Sequence, residues 1–177
     1  MKHATPKTIL LALTMFALVS LWPTAGRAQA GVGETKSIRV FAVRLKPGQD
    51  LRKELETFAR DNHIRAGFII TTVGSLRHAA IRFADQQTPA NLDGKFEIVS
   101  LVGTLGPDGV HLHVSLSDST GRTVGGHLVE GCLVYTTAEI VIGDASGLTF
   151  SREKDSETGY QELRIRQATK PARRARH

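Results

Sequence analysis

The chain has 177 residues, with 23 lysines and arginines against 17 acidic residues, for a formal net charge of +6. Seven of the basic residues lie in 1–30 and 167–177, which hold no acid, so residues 31–166 carry 16 basic against 17 acidic side chains. This near-neutral body gives no indication of a basic face for nucleic acid, and the single cysteine, Cys132, excludes an internal disulfide.

Residues 1–30 have the layout of a secretory signal peptide. Lys2 and Lys7 precede an apolar run over 8–22, and small residues lead to Ala30. The run is shorter than the roughly 20 residues needed to cross a bilayer, although an uncleaved anchor remains the alternative. Cleavage after Ala30 predicts a periplasmic or secreted protein and leaves 147 of the 177 residues, enough for one domain with its own core.

One helix is predicted in the body. A strand over 37–45 alternates apolar and polar residues and ends at Lys46-Pro47-Gly48. Asp50 can then cap a helix that runs to about Asn62, because Leu51, Leu55, Phe58 and Ala59 recur at helical spacing on one face.

The rest of the body is predicted to form strands. Residues 66–73 and 77–84 are expected to pair across Gly74-Ser75, and a polar loop over 85–94 follows. Further strands are expected over 96–105, 110–117, 123–129 and 133–142, with edge strands over 148–152 and 160–165. The pattern predicts a single α+β domain at 31–166, with a central, largely antiparallel sheet and few helices. The basic tail at 167–177 is expected to be disordered.

Three histidines form the strongest candidate site. In the segment from Gly109 to Ser117, apolar residues alternate with His111 and His113, so both imidazoles should project from the polar face of one strand. His127 follows Gly125-Gly126 on the next predicted strand, where two glycines would allow close approach of the backbone. Three imidazoles can hold zinc or another borderline divalent ion and leave one position open. The alternative is solvated or interface histidines without an ion.

Other candidates are weaker. Glu130 and Glu139 are the carboxylates expected near the histidines, as a fourth ligand, an orienting group or a base, although a structural role is favoured. Glu139 interrupts an apolar strand, which suggests burial beside a partner, and Glu97 has the same ambiguity. Ser75 lacks a nucleophile elbow and is expected to be a turn residue.

Two further predictions concern basic residues and the thiol. Arg44, Arg77 and Arg82 could form an anion pocket at the centre of a trimer. Cys132 precedes Leu133-Val134-Tyr135 and is expected to be buried and inert.

Six segments, in order, resemble the plants and prokaryotes conserved (PPC) domain family, and the resemblance runs from about Ile38 to Leu163. The segments are Phe41–Gly48, Gly67–Leu76, Gly94–Leu101, Gly109–His113, Gly125–Leu128 and Thr136–Ile140. The resemblance implies an α+β fold built on a largely antiparallel sheet, and assembly as a homotrimer. It also implies that His111, His113 and His127 match histidines typical of prokaryotic members, which plant members generally lack.

The resemblance also carries a DNA-binding label for prokaryotic members. Plant members bind DNA through a preceding Arg-Gly-Arg-Pro hook, which this sequence lacks; residues 172–176 are basic but have neither the glycine nor the proline. The favoured hypothesis is an exported homotrimeric binding protein with a histidine-held divalent metal and no secure catalytic activity. DNA binding and metal-assisted hydrolysis are the alternatives.

Overall fold

The computed structural model describes residues 31–167, so the predicted signal peptide at 1–30 and the tail beyond Gln167 lie outside the described residues. One helix and eight strands occur between these limits. They are β1 (Ile38–Leu45), α1 (Leu51–Asp61), β2 (Gly67–Arg82), β3 (Ala90–Gly106), β4 (Gly109–Ser117), β5 (Thr123–Leu128), β6 (Leu133–Ala145), β7 (Leu148–Lys154) and β8 (Gln161–Gln167). Within residues 31–167, no helix is long and apolar enough to cross a membrane.

Six strands form one antiparallel sheet in the order β1-β6-β2-β3-β4-β5. The sheet also closes on itself, because Ile81 and Arg82 at the end of β2 pair with Leu128 and His127 of β5. Strands β2 to β5 therefore form a ring that leaves β5 without a free edge along this stretch. The predicted α+β class with a largely antiparallel sheet is confirmed.

The helix packs its apolar face against the interior of the sheet. Leu51, Leu55 and Ala59 are buried in the main core, as their spacing predicts. Asp50 caps the helix, since its Oδ1 accepts from the backbone N–H of Arg52 and Lys53 at 3.0 and 3.1 Å. Its Oδ2 accepts from the N–H of Gly131 at 2.6 Å, which ties the helix start to the turn before β6.

The predicted hairpin across Gly74-Ser75 is wrong, because residues 67–82 form one continuous strand. Gly74 has φ of +141°, and a Cβ there would lie 2.2 Å from the carbonyl oxygen of Thr137 on β6. The glycine thus marks a close backbone approach and an irregular register rather than a turn. Ser75 is a buried strand residue whose Oγ lies 2.7 Å from Oγ1 of Thr136.

The last two strands also differ from prediction, because β7 and β8 pair only with each other instead of extending the main sheet. We call this pair the terminal ribbon (148–167). Its apolar residues Leu148, Phe150 and Ile165 pack with Ala66 and Ala145 in a second, smaller core. Burial of this separate apolar face explains why the ribbon folds back over the sheet. Gln167, the first residue of the predicted tail, is the last residue of β8.

Candidate metal centre

The alternation predicted for β4 is confirmed. Val110, Leu112 and Val114 are buried in the core, so His111 and His113 project from the opposite face. His113 lies directly opposite His127 in the antiparallel pairing of β4 with β5. Cross-strand neighbours have Cβ atoms about 4.5–5.5 Å apart, so the sheet register itself brings the third histidine to the other two.

The three imidazoles form a nearly equilateral triangle within one subunit. Their ring centroids are 5.2 Å apart for His111 and His113, 5.1 Å for His111 and His127, and 5.5 Å for His113 and His127. One ring nitrogen of each lies within 4.8 Å of the others. Metal–nitrogen bonds of about 2.0–2.1 Å at tetrahedral angles place the nitrogens about 3.4 Å apart. The present limit of 4.8 Å exceeds that spacing by no more than about 1.4 Å.

Two glycines allow β5 to approach its neighbours closely. A Cβ at Gly125 would lie 2.6 Å from the carbonyl oxygen of Val114, and one at Gly126 would lie 2.7 Å from that of Arg82. Larger residues would push β5 away from β4 and β2 and would carry His127 with it. The close approach predicted for this glycine pair is therefore present.

Burial holds His111 and His127 in the neutral form that binds metals. The pKa of His127 is lowered to about 4, mainly by burial and to a smaller extent by positive charge on His111 and Arg82. The pKa of His111 is also lowered below its ordinary value, mainly by burial and to a smaller extent by the charge of Arg152. Both rings are therefore neutral at pH 7. The buried Nδ1 of His127 has no hydrogen-bond partner among residues 31–167, and such an atom is costly unless an outside group satisfies it.

A cavity of about 540 Å³ opens beside the histidines and contains residues that sequence reasoning missed. His111 and His127 line it together with Arg82, Arg152 and Glu162. Arg152 and Glu162 come from the terminal ribbon, far along the chain from the histidines, and no local sequence pattern links them. Only the folding of the ribbon over the sheet brings them to the site.

The predicted carboxylates do not join the histidines. Glu130 is exposed and pairs with Lys53, with 3.0 Å between Oε2 and Nζ. Glu139 and Glu97 are exposed on the outer faces of their strands, so the expected burial of Glu139 is wrong. Strand alternation explains this, because both point away from the core while their neighbours, such as Ile140, point into it.

Within one subunit, the three arginines of the anion pocket predicted for a trimer centre lie at different places. Arg82 lines the histidine cavity, whereas Arg44 lines a different cavity with Glu139 and donates to Oγ1 of Thr137 at 3.1 Å. Arg77 is exposed on β2. Cys132 is fully buried as predicted, and burial raises the pKa of its thiol to about 11, so the group is inert.

Two curated proteins have sequences similar to this chain. Two Synechococcus proteins named bifunctional protein GlmU match it; that of strain JA-3-3Ab is 46% identical over 177 residues and 97% of this chain. That of strain JA-2-3B'a(2-13) is 51% identical over 129 residues and 73% of this chain. The match covers only 28% and 20% of these curated relatives, so the chain spans about a quarter of their length.

Several solved structures share the fold. A hypothetical protein from Salmonella enterica has a TM-score of 0.76 and 42% identity, over 77% of this chain and 99% of that one. A metal-containing protein from Archaeoglobus fulgidus has a TM-score of 0.67 and 30% identity, over 75% and 97%. A Ralstonia eutropha JMP134 protein named for DNA binding has a TM-score of 0.59 and 26% identity, over 70% and 88%.

The family model of the Plants and Prokaryotes Conserved domain, abbreviated PCC or PPC, matches residues 32–146. The match spans β1 to β6 and includes all three histidines, and it ends before the terminal ribbon. The chain therefore belongs to the Plants and Prokaryotes Conserved domain family.

Proposed function

We propose that this protein is an exported, homotrimeric binding module that holds one divalent metal ion per subunit through His111, His113 and His127. The observation that carries the proposal is the convergence of three imidazole nitrogens to within 4.8 Å of one another from two paired strands. The predicted signal peptide at 1–30 is the basis for export.

The chemistry of the donors fits a divalent ion of intermediate hardness. Neutral imidazole is a common ligand of zinc, copper, iron and nickel, and the lowered pKa values of His111 and His127 favour the neutral form of both rings at pH 7. A bound ion could also supply a partner for the buried Nδ1 of His127, which accepts and donates no hydrogen bond within residues 31–167. The relative from Archaeoglobus fulgidus, 30% identical, is described as metal-containing.

Zinc is the proposed ion, since three protein nitrogens with one remaining position are a common zinc arrangement. We assign no reaction to the site. An ion with an open position suits a carried or ligand-binding metal as well as hydrolysis, and the carboxylate in the same cavity, Glu162, is not among the groups close enough to share an ion with the three histidines.

Self-association is supported by apolar side chains left exposed on the sheet, and the number of three subunits comes from the resemblance to the family. Val40, Ile70, Val73, Val99 and Val102 are between 49% and 62% exposed, on three different strands. Exposed apolar residues gathered on one sheet are typical of an interaction surface, and closed homo-oligomers are the commonest way to cover one.

DNA binding has less support. The name of the Ralstonia eutropha relative suggests it, but the 16 basic residues of positions 31–166 are outnumbered by 17 acids. A protein that neutralises phosphates needs a surplus of positive charge on one face. Arg82 and Arg152 lie in a cavity rather than on such a face.

Native mass spectrometry of protein purified without a polyhistidine tag tests both parts of the proposal. We expect a mass of three subunits carrying three zinc ions. A monomer with one zinc would contradict the trimer alone, and a trimer that remains free of metal after incubation with zinc would contradict the metal site.

A further inference from the structure

Arg82 lies beside the histidine cluster because of the sheet closure. It is paired directly opposite His127 where the end of β2 meets β5, and it lines the same cavity. Cross-strand partners on one face stand close enough for their side chains to interact. The side chain of Arg82 therefore lies on the His127 side of the cluster.

Arg152 approaches from the other side. Its Nη2 donates to Oγ1 of Thr104 at 2.7 Å, and Thr104 is paired directly opposite His111. This hydrogen bond draws the guanidinium from the terminal ribbon onto the His111 side of the cavity. Two arginines from separate elements thus flank the three histidines.

Neither arginine forms a direct ion pair among residues 31–167, since no carboxylate oxygen lies within 4.0 Å of either guanidinium. Glu162 lines the cavity, but its Oε1 accepts instead from the hydroxyl of Thr158 at 3.0 Å. Burial lowers the pKa of Arg152 although the charge of Glu162 acts in the opposite direction, which indicates that the guanidinium is held partly out of water. One carboxylate at a distance balances only part of two positive charges, and partly desolvated charges are costly unless a ligand balances them.

We infer that the cavity binds a small oxyanion, a carboxylate or phosphate group of an organic molecule, between Arg82, Arg152 and the metal. This inference rests on the metal site proposed above. Two guanidiniums and a divalent ion outweigh the single carboxylate of Glu162, so the cavity attracts negative charge. Its volume of about 540 Å³ falls within the usual range for small-molecule sites, and guanidinium forks match the geometry of carboxylates and phosphates.

The part of the cavity formed by the terminal ribbon lies outside the residues matched by the family model. The match ends at residue 146, whereas Arg152 lies on β7 and Glu162 on β8. The histidines thus belong to the matched domain, and the second arginine belongs to the segment that follows it.

Isothermal titration calorimetry tests the inference. Zinc-loaded protein is titrated with inorganic phosphate and, separately, with succinate. We expect one site per subunit for at least one probe, and the two probes distinguish a phosphate ligand from a carboxylate ligand. Arg82→Met and Arg152→Met should each weaken binding at least tenfold, while Arg152→Lys should fall between Arg152→Met and wild type. The control Arg166→Met removes the same charge from an exposed residue that pairs with Glu153 and should change affinity less than twofold.

Zinc content is measured in every variant, so the two proposals fail in different ways. Zinc-loaded wild type that binds neither probe at 10 mM would overturn the inference and leave the metal site intact, as would equal binding by wild type and the folded Met variants. Wild type that retains no zinc would overturn the metal site, and the oxyanion site with it.

Discussion

The variant His111→Ala, His113→Ala, His127→Ala is expected to purify without metal, against about one zinc per subunit in the wild type. All the ligands proposed for the ion are removed, and none of the other histidines, acids or cysteine among residues 31–167 joins this group. Metal content by inductively coupled plasma mass spectrometry measures the effect. The fold should survive, because the three rings stand on the polar face of β4 and β5 while the buried neighbours Leu112 and Val114 are untouched.

Metal loss should also appear as a loss of stability in the wild type. A ligand that binds only the folded state at about 1,000 times its Kd adds about 4 kcal/mol to the free energy of unfolding. A chelator should therefore lower the wild-type unfolding temperature and leave the triple variant unchanged. The control His63→Ala, His78→Ala removes two histidines outside the cluster and should keep full metal content. Equal zinc in the triple variant and the wild type would show that the ion lies elsewhere.

Gly103→Ala is expected to destabilise the protein by about 3 kcal/mol or more and to weaken zinc binding. Gly103 has φ of +138°, and a Cβ there would lie 2.0 Å from the carbonyl oxygen of His111 and 2.9 Å from Cα of Leu112. Backbone atoms cannot give way as a flexible side chain can. Strand β4 must therefore shift, and the shift moves His111 away from His127.

Gly121→Ala is the matched control for this prediction. Gly121 also has a positive φ, +83°, but a Cβ there would meet nothing within 4 Å. Its substitution should cost only the strain of a left-handed residue, about 1–2 kcal/mol, and should leave zinc affinity unchanged. Urea unfolding and zinc titration of both variants make the comparison. A Gly103→Ala protein no less stable than Gly121→Ala would contradict the close approach of β3 to β4.

Local pattern was enough to predict the helix and the orientation of the first two histidines. Asp50 and the spacing of Leu51 and Leu55 specify a capped amphipathic helix, and alternation specifies which face of β4 carries His111 and His113. Both depend only on the fixed periodicity of regular structure. His127 could be assigned to a neighbouring strand, but its exact register opposite His113 comes from the pairing of β4 with β5.

Long-range contacts decided the features that the pattern missed. A glycine followed by a serine suggests a turn, yet Gly74 lies in the middle of β2, because β6 comes close enough to need a residue without a side chain. The terminal ribbon has strand patterning, but nothing local indicates that it packs on Ala66 and Ala145 rather than extending the sheet. Arg152 reaches the site only through that packing.

X-ray absorption spectroscopy at the zinc edge of tag-free, zinc-loaded protein tests the metal centre most directly. Three imidazole ligands, with zinc–nitrogen distances of about 2.0–2.1 Å and the multiple scattering typical of imidazole rings, are the predicted result. A shell of oxygen ligands alone, or fewer than three imidazoles per zinc, would contradict coordination by His111, His113 and His127.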